Sequence, residues 1–237
     1  MLGEFAALGS ALIWAGTSLL FTAAGKIASP VATNAFKTVA ATGFFAVVLL
    51  VRDGRPWDAS LQAGDVLLLA GSGLLGLSVG DSFLFLGYQI LGTRRAMLVA
   101  SLHPIVGALG AWLLLGETLG PLAILGMGLA LGGVALVIAD RMGTLLPADR
   151  AHLKLGVFLC LLAAVGQAGG ALLAKSALAR ADAFGATQVR VFAGALGLLL
   201  FSVLRGETGR WMAGLRQRAV LWRVSVASFF GPFLAIW

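Results

Sequence analysis

Six side chains with chemistry to offer lie inside long apolar runs: Trp14, Lys37, Asp81, His103, Gln167 and Arg190. A charge at the centre of a bilayer costs at least about 2.5 kcal/mol, so each ionisable group in such a run must be paired, reach the interface or serve a ligand. Asp81 is the deepest carboxylate, and Gly80 before it lets a neighbouring helix approach closely. Its candidate partners are Lys37, or Arg94 and Arg95. One reading is a structural ion pair; the other is a group that binds a substrate amine or carries a coupling proton. Lys37 and Arg190 each fall a few residues inside the start of a run. They either snorkel to the interface or act as cavity cations that hold an anionic substrate group such as a carboxylate.

His103 precedes Pro104, whose missing N–H removes one backbone hydrogen bond and kinks a helix, a geometry suited to a cavity wall. A lone histidine there is either a hydrogen-bonded packing residue or a proton relay. The amide of Gln167, placed in mid-run, needs a partner or water, which makes it the best polar cavity candidate in the second half. Trp14 and Tyr88 would shape an apolar or aromatic part of the same site, with interfacial anchoring the simpler role for Tyr88.

Membrane helices must position these groups. Apolar residues make up 59% of the 237-residue chain, charged residues only 11%, and the mean hydropathy is +0.98. That composition lies far outside the range of soluble domains. Apolar segments fall at about residues 3–25, 31–51, 65–88, 96–115, 119–139, 155–177 and 186–204, and a last one runs from Ala219 to Trp237. The formal charge of +7 comes from residues standing singly or in pairs at segment ends, which fits topology and anionic headgroups better than nucleic acid. The single cysteine, Cys160, allows no disulfide framework or thiolate metal site and is read as a core residue. The N-terminus lacks a basic region before its apolar run and is read as a retained first helix. Pairs such as Gly76/Gly80, Gly128/Gly132 and Gly166/Gly170 offer small faces for close helix packing. Gly71 to Gly76 matches G-x-G-x-x-G, but inside a membrane segment with no strand before it, so it is a packing face. Gly25-Lys26 lacks the first glycine of a Walker A loop, so no ATP site or other cofactor is expected.

The stretch Val99 to Asp140 is two apolar segments joined at Gly116-Glu117-Thr118, where Glu117 can reach water and the positive end of the helix that follows. Pro104, Leu115, Gly116, Glu117, Gly126, Gly133, Val134 and Leu136 together form a pattern that resembles the EamA branch of the drug/metabolite transporter superfamily. The resemblance implies an all-α polytopic membrane bundle built as an inverted repeat of five-helix units. It also implies a secondary-active exporter of small metabolites such as amino acids, their derivatives or drugs, working by alternating access. The expected setting is the plasma membrane, the inner membrane of a bacterium, with a small-molecule substrate and the bilayer as partners and with homo-oligomers allowed.

A shift of 153 positions places Lys37 on Arg190, Trp14 on Gln167 and Gly16 on Gly169, as a repeat would require. Residues 1–140 then form the first unit, 141–154 a polar linker and 155–237 an incomplete second unit. About eight of ten expected helices are present, and the chain is expected to be a fragment of a protein of roughly 290 to 300 residues. The alternative is a short form that completes itself by pairing with another chain. Orientation stays open: the resemblance implies a cytoplasmic N-terminus, whereas twelve of the 17 basic residues fall on the side opposite it. Two other classes compete. One is a membrane-embedded enzyme on lipid-linked substrates with His103 and Asp81 as acid and base; the other is a non-transporting sensor or assembly partner.

Overall fold

The computed structural model describes residues 2–58, 60–144 and 147–234. The described chain is helical throughout: α1 (Leu2–Ala28), α2 (Pro30–Asp53), α3 (Ala63–Leu91), α4 (Thr93–Leu115), α5 (Pro121–Thr144), α6 (Pro147–Leu178), α7 (Ala183–Leu204), a short α8 (Thr208–Leu215) and α9 (Arg218–Ser228), which continues as a π turn over Phe229–Leu234. Helices α1 to α7 are each long and apolar enough to cross a membrane, so the protein is a polytopic helical bundle. Only helices satisfy their backbone internally in hydrocarbon, which is why apolar runs of this length adopt no other form.

Several boundaries differ from those read in the sequence, for identifiable reasons. The segment expected to be a linker is largely helix, because Pro147 stands first in α6, where its missing N–H costs nothing, and Asp149 complements the positive first turn. Residues 145 and 146 of that segment, and 235–237 of the last apolar segment, lie outside the described residues. The basic connection after α7 contains α8, which buries Trp211 and brings Gly214 against Ala28 at the α1–α2 turn. Helix α4 is broken at Ser101 and Leu102 and resumes at His103, as Pro104 requires. Gly116 ends α4 with φ +67°, a left-handed conformation that explains a glycine at that place in the signature.

Helix α3 holds the centre. It lies against α6 and α7, while α2 packs on α7, α4 on α6, and α9 with its π turn on α1 and α2. The α3–α6 contact is a meeting of glycines. A Cβ on Gly76 would stand 3.7 Å from the Cα of Gly170, and one on Gly166 only 2.9 Å from the Cα of Gly80. The backbones approach as closely as small-residue membrane faces allow. By contrast, a Cβ on Gly128 or Gly132, with the same spacing, would meet nothing within 4 Å among the described residues, so that pair makes no close helix contact there. Among the described residues, α5 meets the main core cluster through Met127, Val134 and Ile138. Cys160 and Tyr88 are core residues; Tyr88 is 1% exposed and its hydroxyl donates to Met97 Sδ at 3.1 Å, so it is no interfacial anchor.

Candidate substrate site at the α2–α3–α6 junction

Helix α2 turns Asn34, Lys37, Thr38, Ala41 and Phe45 inward, the spacing of one buried helical face. Across from it, α3 loosens over Gly73–Gly80 into a π-helical stretch and returns to α-helix at Asp81. The glycines there sacrifice helical stability for close approach, and a widened turn frees carbonyls that need donors. Asn34 supplies one: its Nδ2 donates to the Leu77 carbonyl at 2.9 Å and to Ser82 Oγ at 3.1 Å. Ser78 Oγ in turn donates to the Gly194 carbonyl of α7 at 2.7 Å.

The distorted stretch delivers Asp81 to the core. Lys37 Nζ donates to Asp81 Oδ2 in an ion pair whose side chains are 2% and 7% exposed. Gln167 Nε2 donates to the other oxygen, Oδ1, at 2.7 Å. One carboxylate thus joins α2, α3 and α6. The Lys37 ammonium also lies 5.2 Å from the centre of the Phe85 ring, and Phe85 stacks obliquely on Phe21 and Tyr88. This aromatic wall adds a cation–π attraction to the ion pair. Lys37 therefore does not snorkel.

Of the residues singled out in the sequence, Lys37, Asp81 and Gln167 meet directly. Arg190 lies on α7 with its carbonyl packed where a Cβ of Gly73 would be, and the charge of Asp81 acts on its guanidinium. Trp14 is half-buried and packs against the cluster that contains Phe21 and Phe85. His103 is not part of this junction; it is exposed at the point where α4 resumes. Asn34, Ser78, Ser82 and Phe85 were missed, although Asn34 stands one turn before Lys37 on the same helical face.

Polar contacts tie the bundle at both ends. At one end Arg52 bonds Asp53 and Asp182, Arg180 pairs with Asp65, and Gln188 Nε2 donates to the Pro56 carbonyl. Asp182 also caps α7, accepting from the N–H groups of Phe184 and Gly185 at 3.1 Å each. The Arg52 hydrogen bonds, followed by these backbone N–H groups, hold the Asp182 carboxyl below the usual carboxylate range. At the other end Thr93 Oγ1 donates to Thr22 Oγ1 at 2.7 Å, and Gln89 Nε2 to the Thr22 carbonyl at 3.0 Å. A cavity of about 270 Å³ opens between α4 and α6, lined by Gly107, Ala111, Ala168 and Leu172 and edged by Glu117 and Lys175. Glu117 pairs with Lys175 and does not serve the next helix, which begins only at Pro121.

The sequence model of the EamA-like transporter family matches residues 1–139, which span α1 to α4 and most of α5. The chain belongs to that family. EamA proteins form part of the drug/metabolite transporter superfamily, a group of membrane transporters of small molecules. No curated protein matches the chain. In this EamA protein the signature residues Gly126 and Gly133 lie on α5 with open space around them among the described residues, whereas the buried ion pair lies on α2 and α3 and its amide partner on α6. The matched range contains Lys37 and Asp81, whereas Gln167 and Arg190 lie beyond it.

Proposed function

We propose that this EamA protein is a secondary-active exporter of small metabolites, such as amino acids, their derivatives or drugs, and that the Lys37–Asp81–Gln167 junction is its substrate site. The observation that supports the reading is a charge pair buried at membrane depth that bridges α2, α3 and α6. An ion pair in hydrocarbon is weak evidence for stability, because well-packed apolar residues hold helices as well. Retaining one where three helices meet fits a part that binds and rearranges. In this reading residues 1–140 are the first five-helix unit and 155–237 part of a second, inverted one, with 141–154 between them. Alternating access proceeds by parting the contacts at one end of the bundle while those at the other hold. The protein acts in the plasma membrane of a bacterium, and association with a second copy is compatible with the exposed apolar faces of α5.

An enzymatic reading gains no support from the geometry. His103 is exposed, while Asp81 is buried and occupied by Lys37 and Gln167. The test of transport is gradient-driven flux of a mixed metabolite pool into vesicles carrying the protein. Wild type should move at least one solute, and Lys37→Ala and Gln167→Ala should lose that flux while remaining inserted.

A further inference from the structure

Two cations, Lys37 on α2 and Arg190 on the adjoining α7, act on one carboxylate, Asp81. Asp81 uses one oxygen on Lys37 and the other on Gln167. The Arg190 side chain makes no hydrogen bond or ion pair among the described residues, and its buried Nε has no partner. Other described carboxylates packed against these helices lie towards the helix ends: Asp53 and Asp182 with Arg52, Asp58 against Gly185 at the start of α7, Asp65 with Arg180, and Glu117 with Lys175. The cluster thus carries a surplus of one positive charge at bilayer depth. An uncompensated charge there is costly, and an incoming anion removes that cost.

We propose that the site takes a monoanionic carboxylate with an apolar or aromatic body, its carboxylate pairing with Arg190. The inference rests on the transporter reading and narrows its substrates to monoanionic carboxylates, free zwitterionic amino acids excluded. A guanidinium presents a planar fork that matches a carboxylate in two parallel hydrogen bonds. The Phe85, Phe21 and Tyr88 rings beside Lys37 are packed in the core, so the body of the ligand would lie against them only once the helices part. Charge counting disfavours the other classes. An amine raises the surplus to two, a zwitterionic amino acid leaves it at one, and a dianion overshoots to a net negative site.

The test uses the full chain in detergent and in vesicles, with benzoate, phenylacetate and hexanoate as probes against benzylamine, hexylamine and phenylalanine. Binding is read as thermal stabilisation and transport as counterflow. The monocarboxylates should bind at least about tenfold more tightly than the matched amines and the zwitterion. Arg190→Gln, which neutralises the surplus, should abolish that preference, and Asp81→Asn, which doubles it, should tighten monocarboxylate binding. Preference for amines or for phenylalanine, or weaker monocarboxylate binding in a folded Asp81→Asn protein, overturns the inference while leaving transport intact. Failure of all six probes to bind also overturns it. Monocarboxylate binding without counterflow upholds the site and refutes the transporter reading instead.

Discussion

Lys37 on α2 and Asp81 on α3 form an ion pair from which water is almost excluded, with side chains 2% and 7% exposed. Each charge is tolerable only because of the other, and Gln167 and the Phe85 ring complete the surroundings of the pair. Removing one partner leaves the other buried and unpaired. Lys37→Ala should therefore cost about 3 to 5 kcal/mol of stability, whereas Lys37→Met combined with Asp81→Leu should recover most of it. Thermal unfolding in detergent of the single and double variants checks both expectations. A double variant no more stable than Lys37→Ala would show that the pair is not the source of the loss.

The glycines divide sharply by what surrounds them. An alanine methyl at Gly73 would overlap the Arg190 carbonyl, and one at Gly166 would press on Gly80. Gly73→Ala and Gly166→Ala should each destabilise the bundle by about 1 to 3 kcal/mol or more, by forcing α3 away from α7 or α6. Gly132→Ala on α5 meets nothing within 4 Å and should be neutral or stabilising by up to about 1 kcal/mol. Melting temperatures of the three variants, measured side by side, decide the matter.

Much of this architecture could be read from the residues, and the failures share a cause. Apolar runs located the seven long helices, because hydrocarbon forces backbone groups to pair within each segment. Asp81 and Lys37 were legible as partners because few charges occur at depth and each needs one. The sequence could not say which way a side chain faces. On sequence His103 reads as part of a kinked cavity wall and Tyr88 most simply as an interfacial anchor, yet His103 is exposed and Tyr88 lies in the core. Gly76/Gly80 and Gly128/Gly132 have identical spacing, and only the first pair meets another helix. Asn34 was passed over because its task, satisfying carbonyls of the π turn in α3, exists only once that turn forms.

That task makes Asn34 a sensitive position. Asn34→Ala would strip donors from the Leu77 carbonyl and Ser82 Oγ, and should cost about 1 to 3 kcal/mol. Asn34→Asp, similar in shape but lacking the amide donor, should be at least as damaging. Chemical or thermal unfolding of the two variants is the check, and equal stability of Asn34→Asp and wild type would refute the role given to the amide.

The contacts at the Arg52 end have a defined dependence on pH. The Asp182 carboxyl is held below its ordinary range, chiefly by Arg52, so the folded form favours the ionised group. Its contribution is present above the unfolded carboxyl pKa near 3.9 and fades as pH falls through the lower folded value. Between about pH 6 and 8 these contacts should be insensitive to pH. Asp182→Asn should loosen residues 54–58 and 60–62, seen as faster amide hydrogen exchange, with little effect on overall stability because the pair is exposed. Unchanged exchange in that segment would contradict a clamping role for the pair.

The central claim is that the buried pair serves transport more than stability. The most direct measurement is gradient-driven flux by wild type and by Lys37→Met/Asp81→Leu in vesicles with equal amounts of inserted, folded protein. The account predicts flux in wild type and none in the double variant. Equal flux in both, or none in wild type for any solute of a mixed metabolite pool, would contradict it.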